Sequence, residues 1–337
     1  MGLRFTTKSK KESREMKPIL ITTLAAVLLL GCDPHVDSVY LGRDESNMLG
    51  DVSAGNIVAV KKFLDKGGNV NLQDEPGMTP LPHAVNADWK GRNQKMIKLL
   101  IDRGANVKAI DDTHHTPLHW ASNKETAELL VDAGADVDAK TLSEGETLLY
   151  SAARNAAQGG SKSYQIYLDL AKLLITKGAD VNVKLKSGET TLHVVARQFS
   201  EKHASEVCEL LIANGAKINE GNAKGQTDVN MMNVPWTPLH LSAQEGHKEV
   251  VKLLIVNGAD VNAKSDWDGS TPLHFSVQQG HKEVVELLIV NGGYLNARNH
   301  CSETPLDLAT NKNHSEIVDL LRKHGGKTGE ELKAEVK

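Results

Sequence analysis

Thr-Pro-Leu-His-Leu, at residues 237–241, recurs as Thr-Pro-Leu-His-Phe at 271–275 and as Thr-Pro-Leu-Asp-Leu at 304–308. The three copies therefore begin 34 and then 33 residues apart. After the first two copies, residues 246–254 (GHKEVVKLL) and 280–288 (GHKEVVELL) differ at a single position. A repeat of this length predicts a stack of small, similar units rather than one undivided core.

Each unit is predicted to be a pair of short helices. Thr237 is a good N-cap, and Pro238 suits the first helical position because no hydrogen-bond donor is needed there. Gly246 is expected to end this inner helix. A second helix is predicted over residues 247–256, with apolar side chains at the three- and four-residue spacing of one face, and Gly258 is expected to end it. A unit this small cannot bury its apolar face alone, so neighbouring units must stack.

The same pattern extends toward the N-terminus. Four earlier units open at Thr79, Thr116, Thr147 and Thr190, each followed by a Leu-Leu helix and a Gly, and a less regular unit precedes them at residues 53–71. With the Gly-Ala-Asp-Val-Asn turns, these motifs resemble the ankyrin-repeat family. The resemblance covers residues 45–327 and implies an all-α ankyrin-repeat solenoid of about eight helix-turn-helix units, joined by β-hairpin-like loops. Residues 328–337 are then a charged C-terminal tail.

Two insertions depart from the repeat. The first insertion is at residues 154–168, and most of its extra residues are at 155–164, where the segment Gln-Gly-Gly-Ser-Lys-Ser predicts a mobile loop. The second insertion spans residues 220–235. Long surface loops cost little closure entropy, so each insertion is either neutral drift or a specific contact. An enzyme would require the two insertions to meet and form a pocket.

The first 31 residues are predicted to be an export signal. An apolar run at residues 18–30 follows Lys17 and a basic stretch, and it is too short for a comfortable membrane span. The run ends in Leu-Leu-Gly before Cys32, which resembles the lipobox of bacterial lipoproteins. That resemblance implies cleavage before Cys32, lipidation of its thiol, and a linker at residues 32–44. The alternative is an ordinary cleaved signal followed by an incidental Cys. Met16 is an alternative start that would give a signal of ordinary length.

Composition excludes some partners. Removing residues 1–31 takes six basic and two acidic residues from the 39 and 43 of the whole chain, which leaves 33 basic against 41 acidic residues and a net charge of about minus eight. No basic stripe remains that would indicate nucleic-acid binding.

The cysteines and histidines do not predict a disulfide, a metal site or a cofactor. Cys208 and Cys301 lie three units apart, or about 30 Å, far beyond the roughly 4.4 to 6.8 Å that a disulfide spans. Both are expected to be free thiols. Four histidines occupy one repeat position, at His119, His193, His240 and His274, where the resemblance implies hydrogen bonds between neighbouring turns. Rungs about 10 Å apart cannot share one metal ion.

The resemblance to ankyrin repeats implies a concave face, made of turn tips and inner-helix ends, that binds a protein partner. Two tryptophans at turn tips and an acidic and amide rim place the predicted site at the units that begin at Thr237 and Thr271. The alternative for each Trp is that it packs on its neighbouring turn. An acidic rim favours a basic partner. The predicted partner-binding residues are Trp236, Gln244, Glu245, Trp267, Asp268, Ser270, Gln278 and Gln279.

The sequence thus predicts a non-catalytic protein-interaction scaffold in the bacterial cell envelope, held at the membrane on the periplasmic side by a lipid on Cys32. Two alternatives remain. One is a secreted effector that acts on a host protein, and the other is an accessory or immunity factor that binds an exported enzyme.

Overall fold

The computed structural model describes residues 43–88, 91–158, 160–198, 200–222, 236–265 and 268–335. Cys32, the predicted signal, residues 32–42 of the predicted linker, Trp267 and most of the 220–235 insertion lie outside these ranges, whereas residues 43–44 begin helix α1. None of the helices within them combines the length and the apolar character needed to cross a bilayer.

The described residues form sixteen α-helices and a 3₁₀ helix at Pro117–Trp120. The α-helices are α1 Arg43–Ser53, α2 Ile57–Asp65, α3 Pro80–Asn86, α4 Gln94–Asp102, α5 Lys124–Asp132, α6 Leu148–Gln158, α7 Ser161–Thr176, α8 Thr191–Ala196, α9 Glu201–Ala213, α10 Pro238–Glu245, α11 Lys248–Val256, α12 Pro272–Gln279, α13 Lys282–Val290, α14 Pro305–Asn311, α15 Ser315–Lys323 and α16 Gly329–Ala334.

Fifteen of the α-helices and the 3₁₀ helix form the eight predicted helix pairs, and α10–α11 shows why the sequence folds this way. Thr237 is the extended N-cap of α10, at φ −81° and ψ 163°, and Pro238 is in its first turn. Gly246 ends α10 in the left-handed conformation at φ 77°, which a glycine adopts without steric cost. Helix α11 ends at Val256, and Gly258 follows at φ 93°. The all-α repeat architecture and the predicted helix ends are confirmed.

The core lies between units rather than inside them. Each outer helix presents a buried apolar stripe, such as Val250, Val251 and Leu254 of α11, all 0% exposed. These stripes join in one continuous apolar cluster that extends from Met48 to Leu321. Burying a side chain such as Leu254 stabilises the fold by about 1.5–3 kcal/mol, so most of the stability depends on the neighbouring unit.

The first insertion is helical, and the prediction of a mobile loop there was wrong. Helix α6 continues to Gln158 and α7 begins at Ser161. The reason is an alanine face on α6: Ala152, Ala153, Ala156 and Ala157 are almost completely buried, and their small side chains let the two helices approach closely. The insertion therefore lengthens a helix pair.

The predicted C-terminal tail forms the helix α16, which is docked on the last unit. Thr328 caps α16 in a reciprocal box with Glu331. The backbone N–H of Gly329 donates to the Asp307 carboxylate at 2.8 Å. Four earlier units have a histidine at the position of Asp307. Those imidazoles donate an N–H to a carbonyl oxygen of the next finger, whereas the Asp307 carboxylate accepts the N–H of Gly329. A Cβ at residue 329 would lie 2.7 Å from the Ser302 carbonyl oxygen, so only glycine fits this contact.

Candidate protein-binding face

The connecting turns form a row of fingers that are hydrogen-bonded to one another. A backbone N–H of one finger donates to a backbone carbonyl of the preceding finger in four places. These pairs are Asp112 to Pro76 at 3.0 Å, Leu142 to Thr113 at 3.0 Å, Lys186 to Glu144 at 2.9 Å and His300 to Asp268 at 2.6 Å. These bonds join the fingers that precede Thr79, Thr116, Thr147 and Thr190 in one run, and they join the fingers that precede Thr271 and Thr304 to each other.

The histidines at the fourth position of the motif join each inner helix to the next finger. In His240, Nδ1 accepts from the Thr237 backbone N–H at 3.1 Å, and Nε2 faces the Ala263 carbonyl oxygen at 3.1 Å. A backbone N–H can only donate and a carbonyl can only accept, so the imidazole is neutral with its proton on Nε2. His193 makes the same two contacts, to Thr190 and to the Trp236 carbonyl.

Burial of these imidazoles makes protonation unfavourable. Loss of solvation lowers the pKa of His193 and of His240 from 6.5 to about 4. The pKa values of His119 and His274 are lowered for the same reason. Within the described ranges, no three His, Cys, Asp or Glu side chains are grouped so as to hold a metal ion.

A second set of rungs joins the N-caps of five of the eight outer helices to the end of the inner helix in the preceding unit. The side chain of the N-cap residue contacts a backbone carbonyl in the preceding unit. These contacts are Asn93 to Val52 at 3.4 Å, Asn123 to Asp88 at 3.0 Å, His247 to Ala196 at 3.1 Å, His281 to Gln244 at 2.8 Å and His314 to Gln278 at 3.4 Å. Sequence reasoning missed this role, although the recurring Gly-His pairs at 246–247 and 280–281 were its signal. The rungs fix the inner-helix ends at Gln244 and Gln278.

A third regularity lies on the concave side. The residue just before the opening Thr of a unit faces the residue seven positions after that Thr, and we call this arrangement a facing pair. Three units have a hydrogen-bonded facing pair: Arg154 with Glu146 at 3.2 Å, Arg197 with Glu189 at 2.6 and 3.1 Å, and Asn311 with Glu303 at 3.4 Å. The two ion pairs are partly exposed, so each contributes only about 0.2–1 kcal/mol. Their main effect is to close the concave surface in those units.

The unit that begins at Thr237 has Trp236 and Gln244 at the facing positions. Trp236 is half-buried, and its ring packs on Phe275 of the next unit with centroids 4.7 Å apart. Trp236 Nε1 and Gln244 Oε1 are both covered by surrounding atoms and have no hydrogen-bond partner among the described residues. The predicted anchor thus packs on its neighbour, as the alternative interpretation proposed, and yet retains an unused polar atom.

Asp268 and Ser270 act inside their own finger. The Asp268 carboxylate accepts from the Ser270 backbone N–H at 2.9 Å, from the Ser270 hydroxyl at 2.6 Å and from the Ser265 hydroxyl. Burial alone would raise the pKa of Asp268, but these hydrogen bonds outweigh it and hold the pKa below its usual value. Ser270 is only 3% exposed, so its side chain is not available on the face as predicted.

The remaining predicted residues are on the surface. Glu245, Gln278 and Gln279 are exposed at the ends of α10 and α12. The structure therefore brings an amide-rich strip together with the Trp236 ring. Of the described acidic residues of the predicted rim, Glu245 is exposed and Asp268 is bonded inside its own finger.

A cavity of about 720 Å³ lies where the third unit has only a 3₁₀ helix in place of a full inner helix. Its walls include Asn123, Lys124, Ile166 and Tyr167, so the first insertion contributes to it. None of the described residues of the second insertion lines it. In the described ranges the two insertions are thus not brought together in this cavity.

The two described cysteines are free thiols, as predicted. Cys208 is buried, and loss of solvation raises the pKa of its thiol. Cys301 is exposed at a fingertip.

Comparison with known proteins agrees with this architecture. A family model for ankyrin repeats (three copies) matches residues 51–141, 155–265 and 239–331. Delta-latroinsectotoxin-Lt1a of Latrodectus tredecimguttatus is 37% identical over 98 residues, which are 29% of this chain and 7% of that protein. An ankyrin repeat protein of Rickettsia felis is 28% identical over 132 residues, 39% of this chain and 51% of that protein. Oxysterol-binding protein-related protein 1 of Homo sapiens is 41% identical over 66 residues, 19% of this chain and 7% of that protein.

The chain therefore spans about half the length of one of these relatives and a small part of the other two. Ankyrin repeats indicate a protein–protein interaction scaffold, and the family is generally non-enzymatic. Since the family model matches most of the chain and the eight stacked helix pairs have the motif's own hydrogen bonds, this chain belongs to the ankyrin-repeat family.

Proposed function

We propose that this chain is a non-catalytic scaffold that binds a protein partner on its concave face, centred on the units that begin at Thr237 and Thr271. The observation that carries the proposal is the set of histidine contacts that hold this part of the face. His281 and His314 hold the inner-helix ends at the Gln244 and Gln278 carbonyls, at 2.8 and 3.4 Å. His193 and His240 join the inner helices to the Trp236 and Ala263 carbonyls, at 3.0 and 3.1 Å. These parts of the face are therefore organised before a partner arrives. Rigid presentation of this kind lowers the entropy cost of association.

Site-specific photocrosslinking in the native cell tests this proposal. A photoreactive side chain is placed at Gln278, which is exposed at the end of an inner helix, or at Lys252, which is exposed on the neighbouring outer helix. We expect a discrete crosslinked protein from position 278 and none from position 252. Crosslinking from position 252 alone would place the interface on the opposite side of the stack.

We propose further that the scaffold is exported in a bacterium and anchored through a lipid on Cys32. The support is the apolar run that ends in Leu-Leu-Gly before Cys32, together with the similarity to a Rickettsia felis protein. The Cys32→Ser variant in the native host should leave the membrane fraction after detergent-free lysis, because the lipid is the anchor. A variant that stays in the membrane as fully as the parent would contradict this.

Fractionation and crosslinking together separate the alternatives. An effector acting on a host protein would be recovered outside the producing cell. An accessory or immunity factor would yield an exported enzyme or toxin of the same organism as its crosslinked partner. A partner identified by mass spectrometry also decides whether the acidic net charge of the mature chain selects a basic protein.

A further inference from the structure

The facing pairs on the concave side indicate which chemical group of a partner the face binds. This inference rests on the proposed function. Among the described facing pairs, three are closed by a hydrogen bond between their own side chains. Repeat geometry brings Trp236 and Gln244 to the same two positions, one unit after the closed pair of Arg197 and Glu189. Here Trp236 Nε1 and Gln244 Oε1 bond neither to each other nor to any other described group.

Such unused polar atoms require a physical explanation, because a covered donor or acceptor without a partner costs about 1–3 kcal/mol. One other case has a simple local cause. The Thr79 hydroxyl lacks a partner because Pro82 replaces the imidazole that serves the equivalent Thr elsewhere. Among the described residues, no such replacement accounts for Trp236 and Gln244.

The two atoms are complementary to one chemical group. Trp236 Nε1–H can only donate, and Gln244 Oε1 can only accept. An amide presents a carbonyl oxygen to the first and an N–H to the second. We propose that this open facing pair binds a peptide-type amide of the partner, in an uncharged extended segment that lies across the concave face.

The pair itself favours an uncharged segment, and the exposed Glu245 beside Gln244 is the charge against which this is tested. The open pair has no charged side chain of its own, in contrast to the two Glu–Arg pairs. The nearby Asp268 carboxylate is occupied by Ser265 and Ser270. Gln278 and Gln279 are exposed on the next unit and offer further amide hydrogen bonds.

The partner can reach these atoms through a side-chain movement. Gln244 lies at the partly exposed end of α10, and its carboxamide rotates about single bonds on the nanosecond timescale. Trp236 is held more firmly, because its ring packs on Phe275. Rotation of Gln244 therefore gives a partner access to its carbonyl oxygen.

Two conservative substitutions separate this role from packing. Trp236→Phe keeps an aromatic ring against Phe275 and removes the N–H, and Gln244→Met keeps the side-chain length and removes the carbonyl oxygen. Replacing an unpaired covered polar atom by an apolar one is neutral or stabilising. Each variant should therefore melt at the same or a higher temperature than the parent. Each should nevertheless bind the crosslinked partner about tenfold more weakly, since about 1.4 kcal/mol of lost hydrogen bonding is a factor of ten.

Trp120→Phe is the matched control. Trp120 also has a covered Nε1 without a described partner, but it lies in the 3₁₀ helix of the third unit, three units away from Trp236 along the stack. This variant should show the same effect on melting and no effect on partner binding. Equal loss of binding in both tryptophan variants would overturn the proposal, as would a large drop in melting temperature for Gln244→Met.

A small probe tests the site without the partner. The full chain, labelled with ¹⁵N, is titrated with a neutral dipeptide capped as an acetyl and an N-methyl amide. The indole N–H signal of Trp236 should shift in a saturable way, that of Trp120 should not, and Gln244→Met should abolish the shift. In Trp236→Phe, the Gln244 carboxamide signals should no longer respond. A capped lysine dipeptide should bind no better than the neutral one.

These outcomes separate the two proposals. If position 278 crosslinks a partner but the capped peptide leaves the Trp236 signal unchanged, the amide site is wrong and the scaffold function stands. A larger, salt-sensitive response to the lysine dipeptide would replace amide recognition by charge recognition. If position 278 captures nothing, the failure lies in the proposed function itself.

Discussion

Mild acid should destabilise this array well before its carboxylates are protonated. His193 and His240 are neutral in the folded chain, with pKa values lowered from 6.5 to about 4 by burial. As the pH falls below about 6.5, the unfolded chain binds protons at these positions and the folded chain does not. Stability is therefore lost progressively as the pH falls from about 6.5 to about 4, and the loss levels off below that.

The magnitude follows from the two pKa values. At pH about 5 an imidazole that titrates at 6.5 when unfolded and at about 4 when folded disfavours the native state by about 2 kcal/mol. The two residues together therefore remove roughly 4 kcal/mol between about pH 7 and about pH 5. That is a large part of the roughly 5–15 kcal/mol that stabilises an ordinary domain. His119 and His274 add to the loss in the same direction.

The assay is urea denaturation followed by far-ultraviolet circular dichroism at several pH values. The informative variant replaces both His193 and His240 by Asn, whose side-chain oxygen can still accept from the capping Thr N–H. The variant should be less stable than the parent at neutral pH, because the rungs to the next finger are lost. Its stability should fall less with acid, so the two curves converge. His324→Asn, at an exposed histidine, serves as the control and should retain the parent's slope.

Between about pH 6.5 and about pH 4, the loss of stability comes from the histidines and not from the carboxylates with lowered pKa values. Asp111, Asp268, Glu220 and Glu331 have pKa values lowered from 3.8 or 4.5, so their contribution is lost mainly below about pH 4. A parent that loses less than about 1 kcal/mol between neutral pH and about pH 5 would refute the reasoning. An equal slope in the double variant would also refute it.

Three further results are expected. Gly246→Ala should lower the melting temperature more than Gly258→Ala does. Both positions have positive φ, but only at residue 246 would the new Cβ lie 2.5 Å from an imidazole of the next unit. Equal losses in thermal melts would contradict this. Gly329→Ala should release α16, seen as faster amide hydrogen exchange in that helix, since its Cβ would collide with a backbone oxygen; unchanged protection would show that the contact adjusts. Residues 80–215, with their loop changes and lost motif residues, should exchange faster than residues 237–320, and equal or stronger protection in the first half would count against additive unit stabilities.

Much of the fold could be predicted because the same helix-capping and helix-ending residues recur in several units. The helix ends at Val256 and at Gly246 follow from cap chemistry that appears in several units. The free thiols follow from the repeat length alone. Prediction failed for a segment that occurs in one unit only. The Gly-Gly-Ser residues indicated a loop at residues 155–164, but the alanine face of α6 favours helix packing.

The candidate site was harder to predict, because position in a repeat does not determine side-chain contacts. Ser270 and Asp268 occupy fingertip positions, yet they bond to each other inside the finger. Trp236 packs across a unit boundary on Phe275, a contact between residues 39 positions apart that no local spacing shows. The facing pairs were visible as Glu and Arg eight residues apart, but only the structure shows that they touch.

The presence of Asp at position 307, where four other units have His, determines where a further unit would fit in the stack. Each imidazole rung offers an N–H toward the C-terminal side, where the next unit supplies a carbonyl oxygen. Asp307 offers a carboxylate oxygen instead, which accepts the backbone N–H of Gly329 and would repel a carbonyl. A duplicated unit is therefore compatible with insertion among the imidazole units, whereas one appended after Lys327 would meet two opposed acceptors. The unit that begins at Thr304 is therefore matched to the helix α16 that follows it and not to another unit of the same kind.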